Sequence, residues 1–182
     1  AVASPIALPL PSPLVAAITV PAERPDTVPI RKLELWSYIG AQLSLPREAR
    51  KEIRAELAWF KRNRDYMERV SERAAPYLHF VTAALQERDL PLDLALLPII
   101  ESAYQPHALS SAGAGGLWQF IPSTGHMFGL EQTWWYDGRR DIVSATLAAL
   151  DYLSALHRKF DGDWLLALAA YNCGEATVGR AI

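Results

Sequence analysis

The segment DIVSATLAALDYLSALHRKFDGDWLLALAAYNCG, residues 141–174, decides the fold class because it contains two helices with their own start and stop signals. Asp141 is a preferred N-cap residue, and leucines at helical spacing behind it predict a long helix to about Lys159. Asp163 caps a second helix, which Gly174 is expected to end in a left-handed conformation. Almost no alternating β pattern occurs elsewhere, so the sequence predicts an all-α fold. The inward-facing leucines of the first helix are Leu147, Leu150 and Leu153.

Prolines are expected to mark helix starts and breaks in the preceding part of the chain. Pro76 and Pro122 are each placed to begin a helix. Pro91 is placed to open the helix that leads to Glu101. Pro98 then falls inside that helix, removes a backbone donor, and is expected to kink the helix shortly before the glutamate.

Composition divides the chain into three parts. Residues 1–30 hold seven of the 13 prolines, which is typical of an extended linker or tether. Residues 31–75 show apolar stripes at helical spacing and are interpreted as a helical N-terminal extension that packs on the main domain, residues 76–182. The stripes contain Leu33, Trp36, Ile39 and Leu43, then Ile53, Leu57 and Phe60.

The bulk composition excludes several classes of protein. The formal net charge of -2 gives no strong field that would recruit nucleic acid. No apolar stretch approaches the roughly 20 residues of a membrane-spanning helix, and residues 1–20 lack the basic start of an intact signal peptide. Cys173 is the single cysteine and is expected to be a buried, inert thiol. The histidines occur singly, so neither a metal site nor a cofactor is predicted.

The glycine-rich stretch GAGGLWQF, residues 113–120, does not predict a phosphate-binding loop. It lacks the lysine and serine or threonine ending of such loops, and no strand precedes it. Its glycines are expected to let the backbone approach something closely, either a neighbouring helix or a ligand. The serines near it show no nucleophile elbow and no ordered triad.

An unpaired carboxylate ends the apolar run LALLPIIESAYQP, residues 94–106. The nearest lysine or arginine residues in sequence to Glu101 are Arg88 and Arg139. Glu101 is therefore either a helix-end residue that faces water or a proton donor in an apolar pocket, where burial would raise its pKa. From the residues alone, the two interpretations carry equal weight.

The aromatic residues after the glycine-rich stretch favour a sugar-binding groove. Each of them alone is more often a core residue. Together with Gln119 and Asn172 they suit a groove in which flat rings cover sugar faces and amides bind the rims.

No other carboxylate has a spacing that demands pairing with Glu101, so a mechanism with one carboxylate fits better than the usual pair. The aromatics are Trp118, Phe120, Phe128, Trp134, Trp135, Tyr136 and Tyr171, and the other carboxylates considered are Asp93, Glu131, Asp137 and Asp141.

Three ordered motifs resemble those of the lytic transglycosylases of bacterial cell walls, with the likeness looking closest to their membrane-bound D type. They are ES at residues 101–102, GLWQF at residues 116–120 and AYNCG at residues 170–174. The resemblance is close over about residues 76–182 and looser over residues 31–75. It implies a goose-lysozyme-like helical domain of the SLT type, and it favours the catalytic interpretation of the glutamate.

The resemblance also implies a reaction and a set of site residues. Glu101 would protonate the glycosidic oxygen between N-acetylmuramic acid and N-acetylglucosamine. As a carboxylate it would then take the proton of the muramyl C6 hydroxyl, which closes on C1. The product is a 1,6-anhydromuramyl end formed without water, as in a carbon–oxygen lyase. The implied groove residues are Ser102, Ser110, Gln119, Phe120, Tyr171 and Asn172, with local hydrogen bonding at the helix end as an equal alternative for Ser102.

Three rival functions remain at this point: a hydrolysing lysozyme of the same fold, an inactive peptidoglycan-binding module, and a helical interaction domain. Ala176 stands where related sequences often have glycine, and the chain stops at Ile182, where family members usually continue, often into LysM repeats. A fragment truncated at its C-terminal end is therefore expected, with LysM repeats or a membrane tether outside this chain. The resemblance implies peptidoglycan glycan strands as the partner and the periplasm or outer membrane of a Gram-negative bacterium as the location.

Overall fold

The computed structural model describes residues 32–46 and 50–182, without the side chains of Lys32 and Leu33. The linker expected over residues 1–30 lies outside the described residues. Within the described part, regular structure is helical and β pairing is limited to isolated bridges, so the all-α prediction is confirmed. The α-helices are α1 (Lys32–Ala41), α2 (Lys51–Arg62), α3 (Arg64–Gln86), α4 (Leu97–Ser102), α5 (Pro122–Met127), α6 (Ile142–Lys159), α7 (Trp164–Cys173) and α8 (Glu175–Ala181), and the 3₁₀ helices are Leu92–Leu96 and Gly138–Arg140.

The two predicted aspartate caps are present. The Oδ1 atom of Asp141 accepts a hydrogen bond from the Ser144 amide at 2.7 Å, and α6 begins at the next residue, Ile142. Asp163 caps α7 in the same way, through amides of the first turn. Helix α7 ends at Cys173. Gly174, which follows it, has a φ of +87° that favours glycine, but its ψ of 138° is extended. The expected left-handed helical cap is therefore wrong, although the stop signal is correct.

Pro76 does not begin a helix, because α3 runs continuously through it. A proline inside a helix removes one backbone hydrogen bond and crowds the preceding turn. Buried residues on both sides of Pro76 hold the helix in place, among them Ala74, Leu78 and Val81. Tertiary packing therefore outweighs the local preference of proline.

The expected kinked helix before Glu101 is instead two short elements. A 3₁₀ helix over Leu92–Leu96 is followed directly by α4, with Pro91 as the N-cap of the first. Pro98 therefore lies in the first turn of α4, where its missing N–H removes no intrahelical hydrogen bond. Glu101 sits in the last turn of this short helix.

One main core joins the N-terminal and C-terminal helices of the described part. Leu35 and Ile39 of α1 belong to the same buried cluster as Leu78 of α3 and Leu153 of α6. Helix α2 contributes no buried residue, and Ile53 and Leu57 are exposed, so the second apolar stripe is not a core face. No helix among the described residues has both the length and the apolar character needed to span a membrane.

Candidate active site

Glu101 is partly buried, and burial raises the pKa of its carboxyl group above the ordinary value of 4.5. Removal of a carboxylate from water disfavours its charged form, so the group holds its proton to higher pH than an exposed glutamate does. In the described part of the chain, no ion pair with Glu101 is formed that would oppose this shift. Glu101 is therefore a helix-end residue whose carboxyl group is partly shielded from water.

A tight turn directly after Glu101 fixes the end of α4. Ala103 and Tyr104 both adopt positive φ values, 51° and 57°. The Tyr104 amide donates to the carbonyl oxygen of Pro98 at 3.0 Å, which closes the helix end. Tyr104 is fully buried, and its hydroxyl donates to the Ala95 carbonyl at 2.7 Å. This buried anchor holds a left-handed pair that non-glycine residues rarely adopt, and so sets the position of the glutamate.

Glu101 lies in the wall of a cavity of about 480 Å³, which is formed by α4, the glycine-rich loop, α5, α6 and α7. Among the described residues, it is the only carboxylate that lines this cavity. Five of the six predicted groove residues line the same cavity, although they come from distant parts of the sequence. They are Ser110, Gln119, Phe120, Tyr171 and Asn172.

Tyr171 connects α7 to the loop that faces Glu101. Its hydroxyl donates to the main-chain carbonyl oxygen of Trp118 at 2.7 Å. The ring packs 5.3 Å from Tyr152 and 6.4 Å from Phe120, between ring centroids. Burial raises the pKa of Tyr171 well above its usual value, and the charge of Glu101 raises it further. The hydroxyl is therefore neutral and lies within electrostatic range of the glutamate.

Ser110 and Gln119 each have one polar function engaged by the loop backbone. Ser110 Oγ accepts a hydrogen bond from the Ala114 amide at 3.0 Å, which leaves its O–H as a donor. The Gln119 side-chain nitrogen donates to the Gly116 carbonyl at 2.8 Å, which leaves the amide oxygen as an acceptor. Gln119 also has a φ of 50°, an uncommon conformation for a non-glycine residue. A hydroxyl donor and an amide acceptor suit the rim of a sugar.

Ser102 does not line the cavity. It is buried, and its hydroxyl donates to the Leu117 carbonyl at 2.8 Å while it accepts from the Gln105 amide at 3.2 Å. This placement matches the second alternative, in which Ser102 is a hydrogen-bonding residue at the helix end. Its contact with Leu117 joins α4 to the glycine-rich loop.

Most of the aromatic residues that suggested a groove lie elsewhere. Trp118 is 0% exposed, and its indole N–H donates to Thr146 Oγ1 at 3.0 Å, so it is a core residue. Trp134 and Trp135 are 95% and 70% exposed on a turn that does not line the cavity. Phe128 packs on Tyr152, 4.9 Å between ring centroids, without lining the cavity. Tyr136 does not line the cavity either, so Phe120 and Tyr171 are the two that remain.

Sequence reasoning missed several residues of the cavity wall. Tyr152 on α6 lies next to Tyr171, and Thr124 and Ile121 come from the start of α5. Cys173 also lines the cavity and is exposed, so the expectation of a buried thiol is wrong. Its position beside Asn172 in the AYNCG motif was the available signal. Tyr152 had no such signal, because it lies between core leucines at ordinary helical spacing.

Of the four other carboxylates considered, three are engaged away from the cavity, and Glu131 does not line it. Asp93 accepts from the Ser44 amide at 2.8 Å, and Asp137 forms an ion pair with Arg139 at 2.8 Å. Asp141 caps α6. No cluster of histidine, cysteine and acidic residues suited to a metal ion occurs within the described ranges.

Comparison with known proteins gives consistent matches. The family described as "Transglycosylase SLT domain" matches residues 79–182. The Escherichia coli protein "Membrane-bound lytic murein transglycosylase D" is 47% identical over 149 residues, which is 82% of this chain and 33% of that protein. The chain thus spans about a third of the length of this relative.

Two further relatives match shorter parts of the chain. A protein of Alteromonas named "Putative tributyltin chloride resistance protein" is 46% identical over 62% of this chain and 54% of its own length. A Haemophilus influenzae protein named "Putative soluble lytic murein transglycosylase" is 33% identical over 57% of this chain and 18% of its own length. Both matches are similarities of sequence.

Proposed function

Because the chain belongs to the transglycosylase SLT domain family, we propose that it is a peptidoglycan lytic transglycosylase with Glu101 as its catalytic residue. The observation that carries the proposal is the placement of Glu101 as the only carboxylate lining the cavity, among the described residues, with its pKa raised by burial. The similarity to proteins named lytic murein transglycosylases supports the substrate class.

In the proposed reaction, protonated Glu101 donates to the glycosidic oxygen between N-acetylmuramic acid and N-acetylglucosamine. The bond from the muramyl C1 to that oxygen breaks, and the leaving sugar departs as an alcohol. The carboxylate that remains accepts the proton of the muramyl C6 hydroxyl, whose oxygen bonds to C1. One residue therefore serves as general acid and then as general base, and it returns to its starting state.

The absence of a second carboxylate in the described cavity wall favours this reaction over hydrolysis. Glycoside hydrolysis ordinarily needs a second carboxylate, either as a nucleophile or as a base for water. An internal hydroxyl needs no such activation, because it is held beside C1 by the sugar itself. Ser110, Gln119, Phe120, Tyr171 and Asn172 are proposed to bind the sugars or to orient the glutamate.

The proposal extends to organisation and location. Residues 31–75 are proposed to form a helical extension on the catalytic domain of residues 76–182, since Leu35 and Val70 share one core cluster with Leu153. Residues 1–30 are proposed as a linker on composition. A periplasmic or outer-membrane location is proposed because peptidoglycan is the substrate and because one relative is named membrane-bound. A membrane tether or LysM repeats would lie outside this chain.

Mass spectrometry of digested peptidoglycan tests the proposal. The parent protein is expected to release fragments with 1,6-anhydromuramyl ends, and Glu101→Gln is expected to release them about 10²–10⁴-fold more slowly. Reducing muramic ends would instead identify a hydrolysing lysozyme. Binding of glycan strands without any cleavage by the parent would identify a binding module and contradict the proposal.

A further inference from the structure

The glycines of the glycine-rich loop make room for Arg139. A Cβ atom on Gly116 would lie 1.7 Å from the Arg139 carbonyl oxygen, a distance that backbone cannot accommodate. A Cβ atom on Gly115 would lie 3.2 Å from Arg139 Cζ, and one on Gly125 of α5 would lie 3.1 Å from Arg139 Cδ. The close approach expected from this motif is therefore to Arg139 of the 3₁₀ helix Gly138–Arg140, which corresponds to the neighbouring-helix alternative.

The guanidinium group of Arg139 is held on two sides. Its Nε and Nη2 atoms donate to the two carboxylate oxygens of Asp137 at 2.9 and 2.8 Å. Its Nη1 atom donates to the carbonyl oxygens of Gly113 at 2.7 Å and Phe120 at 3.1 Å. The planar, forked guanidinium makes these contacts at once, which a lysine ammonium group on a flexible stem cannot reproduce. Arg139 is 7% exposed, so the contacts are largely shielded from water.

One peptide unit connects Arg139 to the cavity. The carbonyl of Gly113 accepts from Arg139, and the N–H of the same peptide unit, on Ala114, donates to Ser110 Oγ at 3.0 Å. A cation at the carbonyl end polarises the peptide and strengthens the N–H as a donor. Ser110 Oγ is thereby fixed as an acceptor from the backbone, and its own O–H is left to point elsewhere. Ser110 lines the cavity that contains Glu101.

A second contact fixes the other end of the loop. The Phe120 carbonyl accepts from Arg139 and also from the Gly115 amide at 2.9 Å. Phe120 lines the cavity as well. One nitrogen of Arg139 thus holds both ends of the segment 113–120, which carries Gln119. Asp137 in turn fixes the guanidinium, and Arg139 holds the pKa of Asp137 below its usual value, so the pair stays ionised.

We propose that Arg139 is a positioning residue for the transglycosylase reaction, which acts through the Gly113–Ala114 peptide unit to set the Ser110 hydroxyl as a hydrogen-bond donor toward the sugar. The inference rests on the proposed function, because it assumes that Ser110 contacts glycan. Arg139 itself touches neither the cavity nor the reacting atoms. Asp137 is its orienting partner.

The test is a double-mutant cycle between Arg139 and Ser110. Arg139→Lys and Arg139→Gln are compared with Arg140→Gln, which removes the same charge at the adjacent, more exposed position, 3.7 Å from Asp137. We expect the Arg139 variants to lower kcat/KM on peptidoglycan by about tenfold to a hundredfold. Arg140→Gln is expected to change kcat/KM by less than about twofold. In a Ser110→Ala background, Arg139→Lys should lower kcat/KM by less than about threefold, because the Ser110 hydroxyl that Arg139 positions is already absent.

Independent readouts separate positioning from loss of folding. Each variant is examined by thermal unfolding and by hydrogen exchange of the amides of residues 113–120, without substrate. The Arg139 variants should exchange faster in this segment while the amides of α6 and α7 keep the parent protection. If Arg139→Gln fails to fold, Arg139→Lys and Asp137→Asn carry the same comparison. The inference would be overturned if Arg139→Lys lowered kcat/KM equally with and without the Ser110 hydroxyl. Parent rates of amide hydrogen exchange over residues 113–120 in the Arg139 variants would also overturn it.

Binding of an N-acetylglucosamine oligosaccharide distinguishes this inference from the proposed function. If the parent protein binds the oligosaccharide but cleaves no peptidoglycan, the proposed function fails, and the same cycle is then measured on binding affinity. Coupling between Arg139 and Ser110 in binding would support the positioning role. Additive effects of the two substitutions on binding would refute it.

Discussion

The hydroxyl of Tyr171 donates a hydrogen bond to the main-chain carbonyl oxygen of Trp118 across 2.7 Å, although the two residues are 53 positions apart in sequence. This contact joins α7 to the loop that carries Gln119 and Phe120. Because its one O–H is engaged, Tyr171 cannot donate to an ionised Glu101 and can only accept from a protonated one. Burial raises the pKa of Glu101, which favours the acid form of the glutamate.

Tyr171→Phe is expected to weaken both stability and turnover. The substitution removes the donor to the Trp118 carbonyl, so the free energy of unfolding should fall by about 1–3 kcal/mol. The helical content measured by circular dichroism should remain, while the rate of anhydromuramyl product formation falls. Tyr136→Phe, on a turn outside the cavity, is the matched control. A Tyr171→Phe protein with the parent midpoint of denaturation and the parent rate would show that this hydrogen bond has no role.

Glu101→Gln is expected to abolish most of the activity while it raises stability at neutral pH. Loss of a general acid–base group reduces the rate by about 10²–10⁴-fold. Because the folded-state pKa of Glu101 is raised by burial, ionising its carboxyl group costs more free energy in the folded chain than in the unfolded chain. The protonated carboxyl group makes its full contribution to the free energy of unfolding below the ordinary pKa of 4.5. This contribution is lost as the pH rises through the folded-state pKa.

Urea denaturation at a series of pH values checks this dependence. The glutamine variant should be more stable than the parent at neutral pH, and the difference should vanish as the pH falls below 4.5. Glu131→Gln, at an exposed position, is the control and should change the free energy of unfolding by less than about 0.5 kcal/mol. A stability difference that is equal at all pH values would contradict burial as its cause.

Alkylation of Cys173 is expected to block the cavity. The chain contains one cysteine, which is exposed and lines the same cavity as Glu101, so a maleimide with a bulky group reacts at a single place. Turnover should fall in proportion to the labelled fraction measured by mass spectrometry. Cys173→Ser, assayed before and after the same treatment, should be insensitive to the reagent. Full activity of completely labelled protein would place the thiol outside the path of the glycan.

Trp118→Ala and Trp134→Ala are expected to differ sharply in stability. Trp118 is fully buried and its indole N–H is bonded to Thr146, so its truncation should cost about 3–5 kcal/mol. Trp134 is 95% exposed, and its truncation should stay within about 0.5 kcal/mol. Chemical denaturation of the two variants measures both values. A large loss from Trp134→Ala would reveal packing that this surface position does not show.

Features that depend on neighbours in sequence could be predicted. The caps by Asp141 and Asp163 involve amides no more than three residues away, so the sequence alone places the starts of α6 and α7. The end of α7 before Gly174 is also a local feature that the sequence alone predicts. Glu101 stood out because an apolar run leads to a carboxylate with no cation near it in sequence.

Prolines show where such local reasoning fails. A proline restricts its own turn, but whether a helix continues through it depends on what packs against that helix. Pro76 lies inside α3 because buried residues on both sides hold the helix together, and Pro98 lies in the first turn of α4 because the chain before that helix is 3₁₀. Neither fact is contained in the sequence around the proline.

The sequence by itself determined the all-α fold class and the two capped helices, because helical periodicity and capping act over one or two turns. Only the tertiary structure decided that Trp118 is core, that Cys173 is exposed in the cavity and that Ser102 is tied to the loop. It also decided that Arg139 lies beneath the glycine-rich loop. Burial and long-range hydrogen bonds depend on which surfaces meet, and residues far apart in sequence meet only when the helices pack together.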